Sequence, residues 1–284
     1  MLTIVGFVVV LASVLGGFAL EGGPFLVLMQ GAEFLIIGGS AIGALLVSAP
    51  GKLLSKILQK SISAIKGETI SRQVYLSLLK LVYELLYKGQ KEGWIALEKH
   101  IETPKESAIF TKYTDLLGRN DMISFMTDTF RMVIIGGIAP HDLEALMDGD
   151  IETHHADSKK PGMLLQKIGD SMPGLGIVAA VLGIVITMQA IDGPPEEIGH
   201  KVAAALVGTF LGIFISYGFL QPLATNMDIA AEQEMMIYEV IKSAITAFAK
   251  GFKPIVCVEF ARRCIPHDAR PSFEEMEGYV KDIK

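Results

Sequence analysis

Residues 171–191 read SMPGLGIVAAVLGIVITMQAI, and residues 202–223 read VAAALVGTFLGIFISYGFLQPL. Each stretch is apolar over about 20 residues, which is the length that an α-helix needs to cross the hydrocarbon core of a bilayer. Neither stretch contains Asp, Glu, Lys or Arg, whereas residues 192–201 between them, DGPPEEIGHK, are polar. We therefore predict two membrane-spanning helices joined by a short loop.

Two further apolar stretches precede this pair. The first runs from Leu2 to Leu20 and stops at Glu21, and the second runs from about Phe34 to Val47, with Gln30 and Glu33 at its mouth. The first stretch is longer than the apolar core of a cleavable signal peptide, and its only positive group is the amino terminus, so we expect a retained helix. The sequence thus predicts four membrane spans.

The charged residues are segregated along the chain. Hydrophobic residues make up 51% of the chain and charged residues 20%, yet the first 50 residues contain no Lys or Arg. A soluble domain distributes its charges over its whole surface, so this segregation indicates alternation between lipid and water. The net charge of -6 and the lack of a basic tract argue against nucleic acid as a partner.

The distribution of Lys predicts the orientation of the spans, because cytoplasmic loops carry an excess of Lys and Arg. The loop between spans one and two has no basic residue, and the loop between spans three and four has only Lys201. The lysines that flank the middle region are Lys52, Lys56, Lys60, Lys66, Lys159, Lys160 and Lys167. We predict that both termini and this middle region lie in the cytoplasm. The expected division is spans one and two at 1–50, a cytoplasmic helical domain at 51–167, spans three and four at 168–224, and a cytoplasmic C-terminal extension at 225–284.

Outside the spans the apolar spacing is helical, and no long β-alternation appears, so we predict an all-α integral membrane protein. The strongest periodicity runs from Val74 to Leu85, where Gly89 offers a stop, and from Met122 to Ile135. The other expected helices are a short one around Ile95 and Leu97 that ends at Thr103-Pro104, an acidic one from His141 to about His154, and a last one opened by the capping pair Ser272 and Glu275. After span four the helical pattern continues from Asp228 to Lys250 and stops at Gly251, so we expect one long helix that leaves the membrane.

Sequence signatures of catalysis and metal binding are missing. There is no glycine-rich phosphate loop and no His-Glu-x-x-His motif, so we expect no enzyme, no cofactor and no metal centre. His154 and His155 would point about 100° apart on a helix, so we interpret them as part of a solvated acidic linker and not as joint ligands. Cys257 and Cys264 are interpreted as small apolar residues that stay reduced in the cytoplasm.

Small residues form a stripe along each of the last two spans. They are Gly176, Ala180, Gly183 and Thr187 on span three, and Ala205, Thr209, Gly212 and Ser216 on span four. Small residues let helix backbones approach closely in lipid. Two interpretations remain open, namely packing of the two spans against each other and a smooth wall against the helix of a partner.

The interiors of the four spans contain no Asp, Glu, Lys or Arg, and Glu33 and Asp170 lie at span ends. Ionisable groups inside a membrane are costly and mark ion pathways. If ions cross here, another chain therefore supplies the central carboxylate. Pro173 and Pro222 lie at the predicted cytoplasmic boundary of spans three and four, where a proline either terminates a helix or provides a hinge.

Several strings, taken together with the order of the spans, resemble the A subunits of flagellar stators, the MotA family. They are GAEFLII at 31–37, LE at 97–98, EALMD at 144–148, GDSMP at 169–173, VGTFLG at 207–212 and RPSF at 270–273. The resemblance covers essentially the whole chain. It implies a bacterial inner-membrane stator of five A and two B subunits, in which each B subunit contributes a transmembrane Asp and a domain that grips peptidoglycan. The implied activity is conversion of ion flow into torque on the rotor switch ring.

The resemblance also assigns a rotor interface. Glu98 matches the acidic rotor contact of the family. The usual basic contact falls on Gln90 in this chain, with Lys88 and Lys91 on either side. The identity of the basic contact therefore stays open between these lysines.

The remaining assigned residues concern coupling and ion choice. Pro173 and Pro222 match the coupling prolines of the family. Sodium-driven members typically pair a threonine on span three with one on span four; the second matches Thr209, but the first position is Ala180. Because sodium needs oxygen ligands in place of its water shell, the methyl of Ala180 favours H+ over Na+ as the transported ion.

Two other functions remain possible. An energising subunit of the TolQ or ExbB type would have three spans and begin outside the cytoplasm, which disagrees with the first two spans. A self-contained channel or small transporter would need ionisable groups inside its own spans, which the sequence does not place there.

Overall fold

A computed structural model describes residues 2–67, 70–189 and 191–281, and within these ranges the chain is helical with no strand. The helices are α1 (Leu2–Leu20), α2 (Phe25–Leu28), α3 (Gly31–Ser48), α4 (Gly51–Lys66), α5 (Arg72–Glu92), α6 (Trp94–Glu102), α7 (Thr114–Leu117), α8 (Asn120–Ile135), α9 (Pro140–Met188), α10 (Pro195–Ile215), α11 (Gln221–Ala249), α12 (Pro254–Cys264) and α13 (Phe273–Lys281). Short 3-10 turns occupy Pro104–Glu106 and Phe110–Lys112, and a π-helical turn, Ser216–Leu220, joins α10 to α11.

Four helical stretches in the described ranges are long and apolar enough to cross a membrane, as predicted. They are Leu2–Leu20, Phe25–Ser48, Pro140–Met188 and Pro195–Ala249. The second differs from its predicted bounds because helix starts at Gly31, before Phe34, and the short helix α2 precedes it. Glu33 therefore lies within the first turn of α3 and not at its mouth.

The chain forms two compact units. One comprises residues 1–68 and 158–230, and the other comprises residues 69–157 and 231–284. The first unit contains the apolar stretches, and buried residues of α3, α9 and α10 form its main cluster, among them Ile37, Met172 and Leu211. Side chains that face away from this cluster remain apolar and exposed, for example Val9 on α1. Such all-round hydrophobicity is typical of a helix that meets lipid.

The second unit has a conventional apolar core. Its buried side chains come from α5, α6, α8, the first part of α9, α11, α12 and α13, and they include Leu78, Leu85, Phe130 and Ile241. The predicted helix ends at Gly136 and Gly251 are confirmed, since both glycines have a positive φ. The capping pair is also confirmed: the Glu275 N–H donates to Ser272 Oγ at 3.1 Å, and the Ser272 N–H donates to Glu275 Oε2 at 3.4 Å.

The prediction that Gly89 stops a helix is wrong. Helix α5 continues through Gly89 to Glu92, and Gly93 is the residue with positive φ. A Cβ at Gly89 would lie 3.0 Å from the Trp94 ring. Gly89 thus makes room for an aromatic side chain of the next helix, a packing role that a single sequence does not distinguish from a stop.

The predicted break between an acidic helix and span three is also wrong, because α9 is continuous from Pro140 to Met188 through Pro161 and Pro173. An interior proline removes one hydrogen bond and costs about 3 kcal/mol. Buried side chains on both sides of Pro161, such as Met147 and Leu165, hold the helix together despite that cost.

His154 and His155 accordingly lie inside α9 and not in a solvated linker. The His154 ring is half-buried and stacks on Tyr238, with 5.1 Å between the ring centroids. In the described residues no three His, Cys, Asp or Glu side chains come together as a metal site. Cys257 is buried, and burial raises the pKa of its thiol to about 12, so it behaves as an apolar residue.

Candidate functional site

The two stripes of small residues face each other along α9 and α10. A Cβ built on Gly176 would lie 2.7 Å from the Gly208 carbonyl oxygen, and one built on Gly212 would lie 2.5 Å from the Met172 carbonyl oxygen. Real Cβ atoms do not approach that closely, so the two backbones are in direct contact at these glycines. Of the two interpretations left open by the sequence, packing of the spans against each other is the one observed.

Farther along the same contact the fit is equally close. A Cβ on Gly183 would lie 2.8 Å from the Ala205 Cβ. The Thr187 hydroxyl donates to the Gly183 carbonyl at 2.8 Å, so it is satisfied within its own helix. Backbone contact over this length fixes α9 and α10 as one rigid pair in lipid, where no hydrophobic force drives helices together.

The two predicted ion-path residues lie on this helix pair. Ala180 is buried, and a Cβ on Gly208 would lie 3.2 Å from its backbone nitrogen. Thr209 is half-buried, and in the described part of the chain its hydroxyl has no hydrogen-bond partner. Ala180 is thus buried without a side-chain oxygen, whereas the hydroxyl of Thr209 is available to a group outside this chain.

A polar network that the sequence did not predict joins α9 to the π-helical turn. The Ser216 hydroxyl donates to the Gly169 carbonyl at 2.7 Å. The Gln221 amide donates both to Ser216 Oγ at 3.1 Å and to Asp170 Oδ1 at 3.0 Å, and the Gln166 amide donates to the same Asp170 oxygen at 2.9 Å. The spacing of Gln166 and Asp170, four residues apart at a span end, is the sequence signal that could have indicated it.

The two predicted coupling prolines flank this network but differ in local structure. Pro173 lies inside α9, which continues without a break. Pro222 is the second residue of α11 and has no N–H to donate to the carbonyl four residues earlier. The preceding Gln221 N–H donates to the Ser216 carbonyl five residues back, the bonding pattern of a π turn. Pro222 therefore coincides with a real irregularity of the helix.

Glu33 has an environment that the sequence did not indicate. It is 7% exposed, and within the described residues no donor reaches its Oε2 atom. A buried polar atom without a partner is uncommon in a native structure. The cost of burying this oxygen atom without a donor is partly offset by the position of Glu33 in the first turn of α3. The free N–H groups and the helix dipole favour a carboxyl group there.

The predicted rotor-contact residues lie on α5 and α6. Glu98, Gln90 and Lys91 are exposed. Lys88 is half-buried and pairs with Glu92 at 2.9 Å, whereas the Lys91 ammonium lies 5.5 Å from the centroid of a tyrosine ring and stays exposed. The charge of Lys88 is thus compensated within the chain, and Lys91 is the more available cation of the two.

His100 lies two residues beyond Glu98 on the same helix. Its Nδ1 atom is 2.8 Å from Ser107 Oγ, and it is half-buried. Burial lowers the pKa of His100, and the ammonium groups of Lys88 and Lys99 lower it further. The ring is therefore neutral at neutral pH, so the exposed charge of Glu98 is not compensated by this histidine.

Comparisons with known proteins place the chain in a family. Residues 4–93 match the family described as motility protein A N-terminal, and residues 119–240 match the MotA/TolQ/ExbB proton channel family. Motility protein A of Salmonella typhimurium is 38% identical over 284 residues, which are 100% of this chain and 96% of that protein. Chemotaxis protein LafT of Vibrio parahaemolyticus is 37% identical over 277 residues, which are 98% of this chain and 97% of that protein.

A solved structure supports the fold independently. The chain aligns with a structure described as C. jejuni MotAB at a TM-score of 0.77 and 22% identity, over 95% of this chain and 98% of that one. The two chains thus share their fold over nearly their whole lengths. From the full-length identity to curated relatives and from this shared fold, we conclude that the chain belongs to the motility protein A family, within the MotA/TolQ/ExbB proton channel family.

Proposed function

We propose that the chain is the A subunit of a flagellar stator, which conducts ions together with a B subunit and converts their flow into torque on the rotor switch ring. The proposal is carried by the 38% identity to motility protein A over the whole chain. The spans also lack a central ionisable group. Such spans need a carboxylate from elsewhere, and a B subunit with a transmembrane Asp supplies it. The family resemblance favours five A subunits around two B subunits.

The proposed topology places residues 1–50 and 168–224 in the bacterial inner membrane, with residues 51–167, residues 225–284 and both termini in the cytoplasm. The excess of lysine beside the middle region supports this orientation. The division of the chain into a unit with the apolar stretches and a unit with a conventional apolar core is compatible with it.

An energising subunit of the TolQ or ExbB type is the alternative. The four apolar stretches favour a stator over the three-span type. The relatives at 38% and 37% identity, a motility protein and a chemotaxis protein, favour it as well.

The ion that we propose is H+. Ala180 is buried and has no side-chain oxygen, so of these two positions only Thr209 offers a hydroxyl to a sodium ion. Sodium, a hard cation, needs several oxygen ligands to replace its water shell. A proton needs only the carboxylate of the B subunit and a path of water, and Thr209 is proposed to orient that water or the protonated carboxyl group.

This chain and its B subunit are expected to restore swimming in a strain without stators, at a speed that is independent of sodium. Speed should be unchanged between sodium-free and sodium-rich media at fixed proton-motive force, and an uncoupler should stop it. Cells that stay non-motile, with the complex present in the membrane, would contradict the stator function. Swimming that follows sodium and survives the uncoupler would contradict proton drive but leave the stator function intact.

We propose that Glu98 and Lys91 contact the rotor. Reversing Glu98→Lys should reduce swimming speed more than Glu98→Gln, because repulsion replaces attraction. Exposed ion pairs contribute about 0–1 kcal/mol each, so the neutral change should only weaken motility. Lys91→Glu should reduce speed more than Lys88→Glu, since Glu92 already compensates Lys88. Glu274→Lys, at an exposed residue of α13, makes the same charge change as a control. Normal swimming of Glu98→Lys at normal expression would refute the assignment.

We further propose that Pro173 and Pro222 transmit the ion-driven change of conformation. Pro173→Ala and Pro222→Ala should leave the complex with the B subunit assembled while lowering both torque and ion flux. Pro161→Ala is a matched control, because Pro161 also lies inside α9 but away from the Ser216 network. Subunits that fail to assemble, with full activity in each complex that does form, would point to a structural role of these prolines in place of coupling.

A further inference from the structure

Two residues separate the end of α3 from the start of α4, and α4 has no acidic residue. From Phe34 to Gly67 the chain contains four lysines, all on α4, and neither Asp nor Glu. Lys52 and Lys56 are both exposed, and neither forms an ion pair in the described part of the chain. One turn of helix thus carries two cations without any anion from this chain to meet them.

Both ends of α4 are held at the boundary of a span. Its start at Gly51 follows Ser48, the last residue of α3, across a short extended link. Near its other end, the carbonyl of Ala64 accepts a hydrogen bond of 3.2 Å from the hydroxyl of Thr3, in the first turn of α1. The three residue steps from Ser48 to Gly51 span at most about 11 Å, and the hydrogen bond to Thr3 keeps the other end beside the start of α1. Neither end of α4 therefore lies far from the membrane surface. A helix fixed to that surface at two places runs along it.

The side chains of α4 fall into three sectors. Ile57 and Ala64 are each 5% exposed and face the protein. Leu58 and Ile62 are 64% and 44% exposed and one turn apart, and the described residues leave this apolar sector uncovered. Successive residues are about 100° apart around the helix axis. Lys52 and Lys56 therefore lie on the side of the helix that faces away from both apolar sectors.

We infer that α4 lies in the inner-leaflet interface, that Leu58 and Ile62 enter the acyl layer, and that Lys52 and Lys56 bind the phosphate groups of anionic phospholipids. A basic helix with an apolar sector on one side is the arrangement that inserts into the headgroup boundary. Lysine stems are long enough to bring the ammonium group from the side of the helix to the phosphates. The inference rests on the membrane topology proposed above and adds a lipid-binding surface to it.

The test places a tryptophan in the apolar sector. Leu58→Trp is made in the full chain, which is reconstituted in bilayers with brominated phosphatidylglycerol or brominated phosphatidylcholine as quencher. The unsubstituted chain, whose single tryptophan is Trp94, provides the background. We expect phosphatidylglycerol to bind beside Leu58→Trp at least fivefold more tightly than phosphatidylcholine, since each lysine near an anionic surface contributes a factor of about five. The double variant Lys52→Gln with Lys56→Gln should abolish this preference. The double variant Lys52→Arg with Lys56→Arg keeps both charges and should retain it.

Two controls accompany this test. The first distinguishes a general loss of positive charge from the loss of these two lysines, and the second distinguishes the lipid site from the proposed membrane placement. Lys105→Gln with Lys253→Gln removes the same charge at exposed positions outside the first unit and should leave the preference unchanged. Leu46→Trp, 60% exposed on α3, should be quenched equally by both lipids. If Leu46→Trp is not quenched at all, the proposed membrane placement fails. Two outcomes would leave the placement intact and refute the lipid site. In both, Leu46→Trp is quenched; Leu58→Trp is either not quenched or is quenched equally by the two lipids while both lysines are present.

Discussion

Liposomes that contain only this chain are expected to show no proton flux above protein-free liposomes, and flux should appear when the B subunit is added. Glu33 lies in the first turn of its helix and Asp170 near the proposed membrane boundary, so neither supplies an acceptor at the centre of a span. Moving an ion through that centre without a carboxylate is costly. A pH-sensitive dye trapped in the liposomes, with an imposed gradient, measures the rate.

The control for this experiment is a complex whose B subunit carries Asn in place of its transmembrane Asp. It should assemble normally and conduct no more than the chain alone, because the acceptor is missing. Substantial flux through the chain by itself would show that its spans contain a complete path, and it would overturn the division of roles between the subunits.

Gly212→Leu is expected to disrupt the pairing of α9 and α10 and with it the assembly of the complex. Even the first atom of the new side chain would lie 2.5 Å from the Met172 carbonyl oxygen and 2.9 Å from the Gly176 Cα, both of them backbone atoms that cannot rotate away. Overpacking of this kind typically costs about 1–3 kcal/mol, and a clash with backbone lies at the upper end. The thermal unfolding midpoint in detergent and the yield of complex measure the effect.

The matched control is Gly174→Leu, an exposed position on α9 where a Cβ meets no atom within 4 Å. The same side chain is thus added to the same helix pair without a clash. We expect it to leave the unfolding midpoint of the chain nearly unchanged. Equal midpoints for the two variants would mean that the backbone contact of α9 with α10 does not hold the pair together.

Features with a local cause were predictable from sequence. The four apolar stretches follow from composition alone, since burial in lipid requires an uninterrupted run of apolar residues. The ends at Gly136 and Gly251 follow from the freedom of glycine to take a positive φ.

Features with a tertiary cause were not predictable. In the sequence, Gly89 cannot be distinguished from a glycine that ends a helix. Its contact with the Trp94 ring shows that it is a packing residue. Pro161 would end most helices, yet buried contacts on either side keep α9 intact. The hydrogen bond from Ser216 to Gly169 joins residues 47 positions apart.

The π-helical turn at Ser216–Leu220 has a geometric consequence for the start of helix α11. A π turn holds one residue more than an α turn, and each residue of an α-helix advances by about 100° around the axis. The chain after Leu220 is therefore rotated by about that angle relative to an uninterrupted continuation of α10. Deleting one residue there, for instance Gly218, would leave the length and the hydrophobicity of the span almost unchanged. It would nevertheless re-aim each side chain of α11, so the phase of the helix is encoded by a single inserted residue.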